Sequence, residues 1–327
     1  VKKMVSILSY EIKHAKTLGK KVLENGVSIP FFALEDEIKQ NQHEIKNAIK
    51  EVVLKVLPKK RENTALLVGT SLIDWYLVDA INDLAYDEKK PYTSQKRSID
   101  SYAKDLSLEL GLSGFSMSIN TACTSSANAM LEAKNLIEAG LFEYVVVVGL
   151  EVYSPVMSSG FYSMELLSAT KPKPFREDRD GLVLGEGVGA MLLGKEDSLW
   201  ELKGGFSNCN SETITAVSSS GEECEEIMLK ALKNCSLHVE DITAIKAHAT
   251  GSYANDEAEM NAIKKVFKNP PEILTIKEQI GHTIGASGVL EIGFLMDIKS
   301  KSKGGLFMCN YFGFGGNNIS LIVEKKS

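Results

Sequence analysis

No two cysteines in this 327-residue chain have C-x-x-C spacing, and the five present (Cys123, Cys209, Cys224, Cys235 and Cys309) are odd in number. Both facts argue against a disulfide framework and against a zinc site. Long apolar runs are also missing. A run such as Val145-Val146-Val147-Val148 is far too short to span a bilayer. After Val1-Lys2-Lys3-Met4, the stretch Val5-Ser6-Ile7-Leu8 is shorter than the apolar core of a signal peptide. A cytoplasmic protein without a membrane span is therefore expected. Basic charge is not in excess: the net charge is −6, so no nucleic-acid partner is expected. No proline- or serine-rich linker divides the chain, which implies halves packed on one another. What remains, 44% hydrophobic and 24% charged residues, is the composition of a globular protein with room for a large core.

Strand-like runs fall at residues 5–8, 65–68, 117–120, 144–149, 188–193, 242–247, 272–276, 306–309 and 319–324. Most are continuously apolar, as in strands buried on both faces. Helical patterns at 34–56, 99–110, 127–139, 222–233, 256–267 and 286–300 alternate with them. That alternation predicts an α/β layered fold. There is an internal echo. Asn120-Thr121-Ala122-Cys123-Thr124-Ser125 leads into one helix, and His282-Thr283-Ile284-Gly285-Ala286-Ser287-Gly288 into another. A duplicated architecture would produce it.

Cys123 stands where a strand gives way to a helix. Unpaired N–H groups and the helix dipole favour an anion there, and such a position can lower a thiol pKa by about one unit or more. The alternative is a small buried cysteine packing a tight turn. Two of the five histidines add weight to the reactive reading. His248 lies in Lys246-Ala247-His248-Ala249-Thr250-Gly251-Ser252, and His282 in Gly281-His282-Thr283-Ile284-Gly285. Both follow strands, where α/β folds build their sites. A thiol with imidazoles supports covalent acyl chemistry, with N–H donors for a developing oxyanion or enolate. The glycine-dense Asn310-Tyr311-Phe312-Gly313-Phe314-Gly315-Gly316-Asn317-Asn318 allows close backbone approach and one more N–H donor, or is simply a tight turn.

In order along the chain stand TACTSS around Cys123, Pro174-Phe175-Arg176-Glu177-Asp178-Arg179-Asp180-Gly181 with Gly185-Glu186-Gly187, the HATGS turn, Lys277 leading to GHTIGASG, and FGFGGNN. Together they resemble the β-ketoacyl-acyl-carrier-protein synthases of the Cys-His-His elongating type, over about residues 64–324. The resemblance implies a thiolase-like duplicated five-layered αβαβα sandwich, with a half at 1–195 carrying the cysteine and a half at 196–327 carrying the histidines. Cys123 matches the family nucleophile. His248 and His282 match the pair that assists malonyl decarboxylation. Lys277 matches a lysine expected to pair with Glu259. Phe314 matches the gating phenylalanine, and its N–H with that of Cys123 matches the oxyanion hole. Thr250 and Ser252 match the hydroxyls that hold a phosphopantetheine arm, and Phe161, Met164 and Phe312 the acyl pocket.

No redox cofactor or metal is implied; the pantetheine is borne by the substrate. The partners implied are an acyl carrier protein and a second subunit, as a homodimer or a ketosynthase-like heterodimer. An acidic carrier calls for a basic docking patch; Lys171, Lys173 and Arg176, or Lys96 and Arg97, are candidates for it or are ordinary solvated cations, whereas Glu165 stands where relatives often carry an arginine. The stretch from Glu291 to Phe312 is shorter than in relatives, so a reduced cap region is expected. Two other activities remain open: a chain-length-shaping partner subunit, and a thioester hydrolase or acyltransferase that uses Cys123 without decarboxylation.

Overall fold

The computed structural model describes residues 4–38, 42–72, 100–210 and 220–327. The first half runs β1 (Ser6–His14), the hairpin β2 (Gly19–Val22) and β3 (Ser28–Phe32), α1 (Gln42–Val56), β4 (Thr64–Gly69), α2 (Asp100–Glu109), β5 (Ser116–Ile119), α3 (Ser125–Glu138), β6 (Tyr144–Glu151), α4 (Pro155–Ser163), β7 (Leu184–Gly185) and β8 (Gly187–Gly194). The second runs β9 (Trp200–Cys209), α5 (Glu222–Cys235), β10 (Ile242–Lys246), α6 (Tyr253–Val266), β11 (Glu272–Leu274), α7 (Lys277–Ile280), α8 (Ser287–Ile298), β12 (Gly305–Phe312) and β13 (Asn317–Lys325). Among the described residues no helix is long and apolar enough to cross a membrane.

The main sheet has the order β11-β10-β12-β13-β9-β1-β8-β6-β4-β5. It is two five-stranded sheets joined only where β1 meets β9, at Ser6↔Glu201 and Ile7↔Trp200. Each half repeats one topology. Its third, second and fourth strands are parallel, and its fifth and first are added antiparallel. The duplication suggested by the echo is thus present in strand order and direction.

Alternate side chains of each strand reach opposite layers. Leu66, Val68 and Val146 pack against Ile45, Ile49 and Val53 of α1 and Leu106 of α2. These α1 residues recur at helical spacing and form one apolar stripe. Leu67, Val145 and Val147 face the other way, onto Met130 of α3 and Val289 of α8, which also meet Phe307 and Leu321 of the second sheet. On the far side, Ile245, Met308 and Ile322 pack under Ile227 of α5 and Ile263 of α6. The layers are helices, sheet, helices, sheet, helices, as the resemblance implied. Residues 299–304 alone separate α8 from β12.

The central helices approach closely because small residues line their contact. A Cβ on Gly288 would lie 2.1 Å from the Ala127 backbone nitrogen, and Val289 N–H donates to Ser126 Oγ at 3.2 Å. Gly288→Val is therefore expected to lower stability by about 3 kcal/mol, because backbone rather than a flexible side chain must give way. Urea unfolding of the purified variant measures this, and an unchanged midpoint would refute the close packing.

Several local expectations need correction. The helix placed at 34–56 starts at Gln42 among the described residues; Leu34 N–H is instead held by Glu186 Oε1 at 2.8 Å, on a non-helical segment. The start at Ile99 lies outside the described residues, as do Lys96 and Arg97. Strand β9 went unread because its Gly204-Gly205 pair looks like a break. In fact a Cβ on Gly205 would lie 2.3 Å from Ser320 O, so glycine is what lets β9 lie against β13. Helix α4 also went unread, although Ser154 caps it by accepting from Met157 N–H at 3.3 Å and Pro155 opens it.

Candidate active site

Cys123 sits on a single 3-10 turn, Ala122–Thr124, between β5 and α3. The hydroxyls of its own motif shape that turn. Thr124 Oγ1 donates to Thr121 O at 2.7 Å, Ser125 Oγ to Ala122 O at 2.6 Å, and Thr121 N–H to Ser125 Oγ at 3.0 Å. Ala122 is held at φ 53°. The same device recurs at the other two turns: Ala249 follows His248 at φ 45°, and Ile284 follows His282 by two residues at φ 39°. Such backbone angles cost about 1–3 kcal/mol each, and the packed surroundings must hold them in place.

Those turns bring the three side chains together. His282 Nε2 lies 3.1 Å from Cys123 Sγ, and the two imidazole centroids are 5.4 Å apart in an edge-on arrangement. All three residues are buried. Burial, then the charge of Lys277, holds both imidazoles well below the usual histidine range, so both are neutral. Lys277 Nζ is 3.4 Å from His248 Nδ1. An ammonium can only donate, so His248 carries its proton on Nε2.

The thiol behaves differently from the sequence expectation. Burial pushes Cys123 up to about 11, outweighing Lys277 and the backbone N–H groups of Phe314 and Cys123 that face the sulfur. A helix start is present, but the loss of water costs a thiolate more than the dipole returns. The resting group is a thiol beside a neutral imidazole able to take its proton.

The expected Lys277–Glu259 pair is not formed. Glu259 instead accepts the backbone N–H of His248 at 2.7 Å and of Ala249 at 2.8 Å, clamping the HATGS turn from α6. Lys277 pairs with Glu291 Oε1 on α8 at 2.6 Å, and a second buried lysine, Lys246, pairs with Glu291 Oε2 at 2.6 Å. Lys246 and Glu291 were missed. Each is a charge in an otherwise apolar strand or helix, Ile242-Thr243-Ala244-Ile245-Lys246 and Val289-Leu290-Glu291-Ile292, and that is the signal that could have found them.

Phe161 is buried with Cys123, Phe31, Leu182, Leu184 and Ile284, and stacked on Phe314 with ring centroids 5.5 Å apart. Met164 does not belong there. It ends α4 facing solvent at 45% exposure, and Met157, one helical turn before Phe161, takes the inward position. Phe312 packs in the outer core of the second half, 5.9 Å from the His248 ring, so it supports the histidine rather than lining the apolar cluster. Thr250 and Ser252 are buried with their hydroxyls 3.0 Å apart. Asp256 ties their turn to the PFREDRDG loop, accepting Gly251 N–H at 3.1 Å and Phe175 N–H at 2.7 Å. Two of the expected docking cations are engaged within that loop: Lys173 lies 3.4 Å from Asp180, and Arg176 3.0 Å from Asp178. Lys171 is exposed, and Glu165 sits in a turn at φ 57°.

Family models give a consistent picture. Residues 44–198 match the β-ketoacyl synthase N-terminal domain, and residues 199–299 the C-terminal domain. A chloroplastic 3-oxoacyl-[acyl-carrier-protein] synthase I of Hordeum vulgare is 34% identical over 216 residues, 61% of this chain and 46% of that protein. The chain thus spans less than half the length of that relative. Among solved structures, a Xenorhabdus doucetiae ketosynthase, ApeO, in complex with its chain length factor superimposes with TM-score 0.78 at 21% identity, covering 98% of each chain. The complex AntDE:AntF, a type II polyketide synthase carrier protein with its ketosynthase, does so with TM-score 0.85 at 17% identity, covering 100% of each chain. At these identities the likeness is one of fold.

Proposed function

The chain belongs to the β-ketoacyl synthase family, and from that premise we propose that it joins a Cys123-bound acyl chain to a malonyl thioester by decarboxylative Claisen condensation. The observation that carries this reading is the 3.1 Å approach of His282 Nε2 to Cys123 Sγ, with a second neutral imidazole edge-on beside it.

In the first step the sulfur attacks an acyl thioester carbonyl while its proton passes to His282 Nε2. The N–H groups of Cys123 and Phe314 hold the oxyanion. The carrier thiol leaves with that proton. In the second step the malonyl C–C bond breaks, CO2 departs, and the electron pair becomes an enolate whose oxygen accepts the N–H of a neutral imidazole. A protonated imidazole pair would bind the malonyl carboxylate too well in the ground state, so neutrality favours the transition state. The enolate carbon then attacks the acyl-cysteine. The thiolate is expelled and takes up one proton, leaving a β-ketoacyl thioester.

Thr250 and Ser252 would hold the pantetheine arm of an acyl carrier protein, the substrate-borne group, and Phe161 would line the acyl channel. We assign the cysteine to a half spanning 1–195 and the histidines to one spanning 196–327. A second subunit, identical or ketosynthase-like, completes the assembly in this reading, and the cytoplasm is its compartment. Retention of Cys123, His248 and His282 together disfavours a purely chain-length-shaping role.

Incubation with malonyl- and acyl-carrier protein tests the proposal. CO2 release and a β-ketoacyl product by intact mass spectrometry are expected. Acyl transfer or hydrolysis without CO2 would replace it with a hydrolase or acyltransferase reading.

A further inference from the structure

Beside the histidine pair lies a fully buried cluster of two ammoniums and one carboxylate. Glu291 on α8 gives one oxygen to each lysine, Oε1 to Lys277 and Oε2 to Lys246, both at 2.6 Å. Lys246 is further fixed by Asn310 O at 2.7 Å and lies over the Tyr311 ring, 3.4 Å from its centroid. Three partners on two elements thus hold its ammonium, and none of its relative surface is exposed. A single lysine would leave a neutral Lys277–Glu291 pair with both carboxylate oxygens pulling on one ammonium. With two lysines the carboxylate is shared, and one positive charge is left over at the end nearest His248 Nδ1.

We propose that Lys246 is a positioning residue for the histidine pair: by taking the second oxygen of Glu291 it leaves the cluster with a net positive charge, so that the Lys277 ammonium, paired with the first oxygen, faces His248 Nδ1 as a donor and fixes the tautomer protonated on Nε2. The proposal concerns the same site as the condensation reading and rests on it for its catalytic consequence. The groups facing Lys246 are Glu291, Lys277 on α7, Cys309 and Tyr311 on β12, Glu259 on α6, and the two imidazoles; of the lysine charges, both reach His248 and His282 and oppose their protonation. Burial draws Lys246 itself down to about 8, so its charge is present at neutral pH and is lost as pH rises through that value.

Two variants test this, Lys246→Met and Lys246→Arg. In Lys246→Met the surplus charge is gone. Imidazole NMR titration is expected to show the two buried histidines gaining protons about one pH unit higher than in the unaltered protein. CO2 release from malonyl-carrier protein is expected to fall about tenfold in kcat with little change in KM, and its acid limb to move up with the imidazoles. Lys246→Arg keeps the charge and is expected to recover the imidazole titration. It also serves if the methionine variant does not fold: the unaltered protein should lose activity as pH rises through about 8, and the arginine variant should not. Imidazole titrations unmoved in Lys246→Met, or the same alkaline decline in both Lys246→Arg and the unaltered protein, would overturn the proposal. Failure of the condensation reading would show separately, as absence of CO2 release from the unaltered protein while the imidazole shift remains.

Discussion

Cys123→Ala is expected to yield a folded protein that gains no acyl mass from any carrier thioester, with condensation reduced at least about a thousandfold. Folding should survive because the sulfur contributes little to the turn, which is held by the hydroxyls of Thr124 and Ser125. CO2 release from malonyl thioester alone is expected to continue, since both imidazoles remain in place. Peptide mapping after incubation separates the outcomes. Acyl mass persisting on Cys209, the exposed cysteine, or on any other residue would show that the nucleophile is misassigned. The state of the thiol adds a second readout on the unaltered protein. With burial holding Cys123 near 11, its alkylation by iodoacetamide should keep rising well above the ordinary thiol value of 9.0. A plateau near neutral pH would mean a standing thiolate and would refute the proton transfer to His282.

The grouping of Cys123, His248 and His282 was legible because each lies in a short motif of small and hydroxyl residues that does nothing for a strand or helix interior. The echo between Cys123 and His282 was legible for the same reason, and the repeated strand topology accounts for it. What lay hidden was everything set by partners distant in sequence. Glu259 and Glu291 are both acids on helices, and no local pattern says which one Lys277 meets; the tertiary placement of α6 and α8 decides it. The thiol's titration was misread because burial depends on the helix layer above, whereas the helix start is visible locally. Met164 and Phe312 fall outside the apolar cluster around Cys123 for a related reason. Each is apolar and near a motif, but α4 turns Met164 outward and β12 turns Phe312 under α5 and α6.

Glu291→Ala is expected to be among the most damaging single changes in the second half. It removes the only carboxylate within ion-pair distance of Lys246 and Lys277 among the described residues and leaves two buried ammoniums facing one another. Breaking such a pair costs about 3–5 kcal/mol, because the charge left behind stays out of water. The lysines can escape part of that cost by losing a proton, but the site then loses the cation beside His248, so activity should fail even in protein that folds. The pH dependence carries a definite sign. Burial alone would raise Glu291, but Lys246 and Lys277 outweigh it and hold the carboxyl below its ordinary value of 4.5. A carboxylate with a depressed value in the folded state stabilises fully above the unfolded value and loses that contribution as pH falls below it. The stability difference between Glu291→Ala and the unaltered protein should therefore be full at neutral pH and shrink as acid is added below about 4.5. Urea unfolding at neutral and at acid pH measures both quantities. An equal difference at the two pH values would mean that Glu291 acts through packing, with the two lysines neutral partners rather than charged ones.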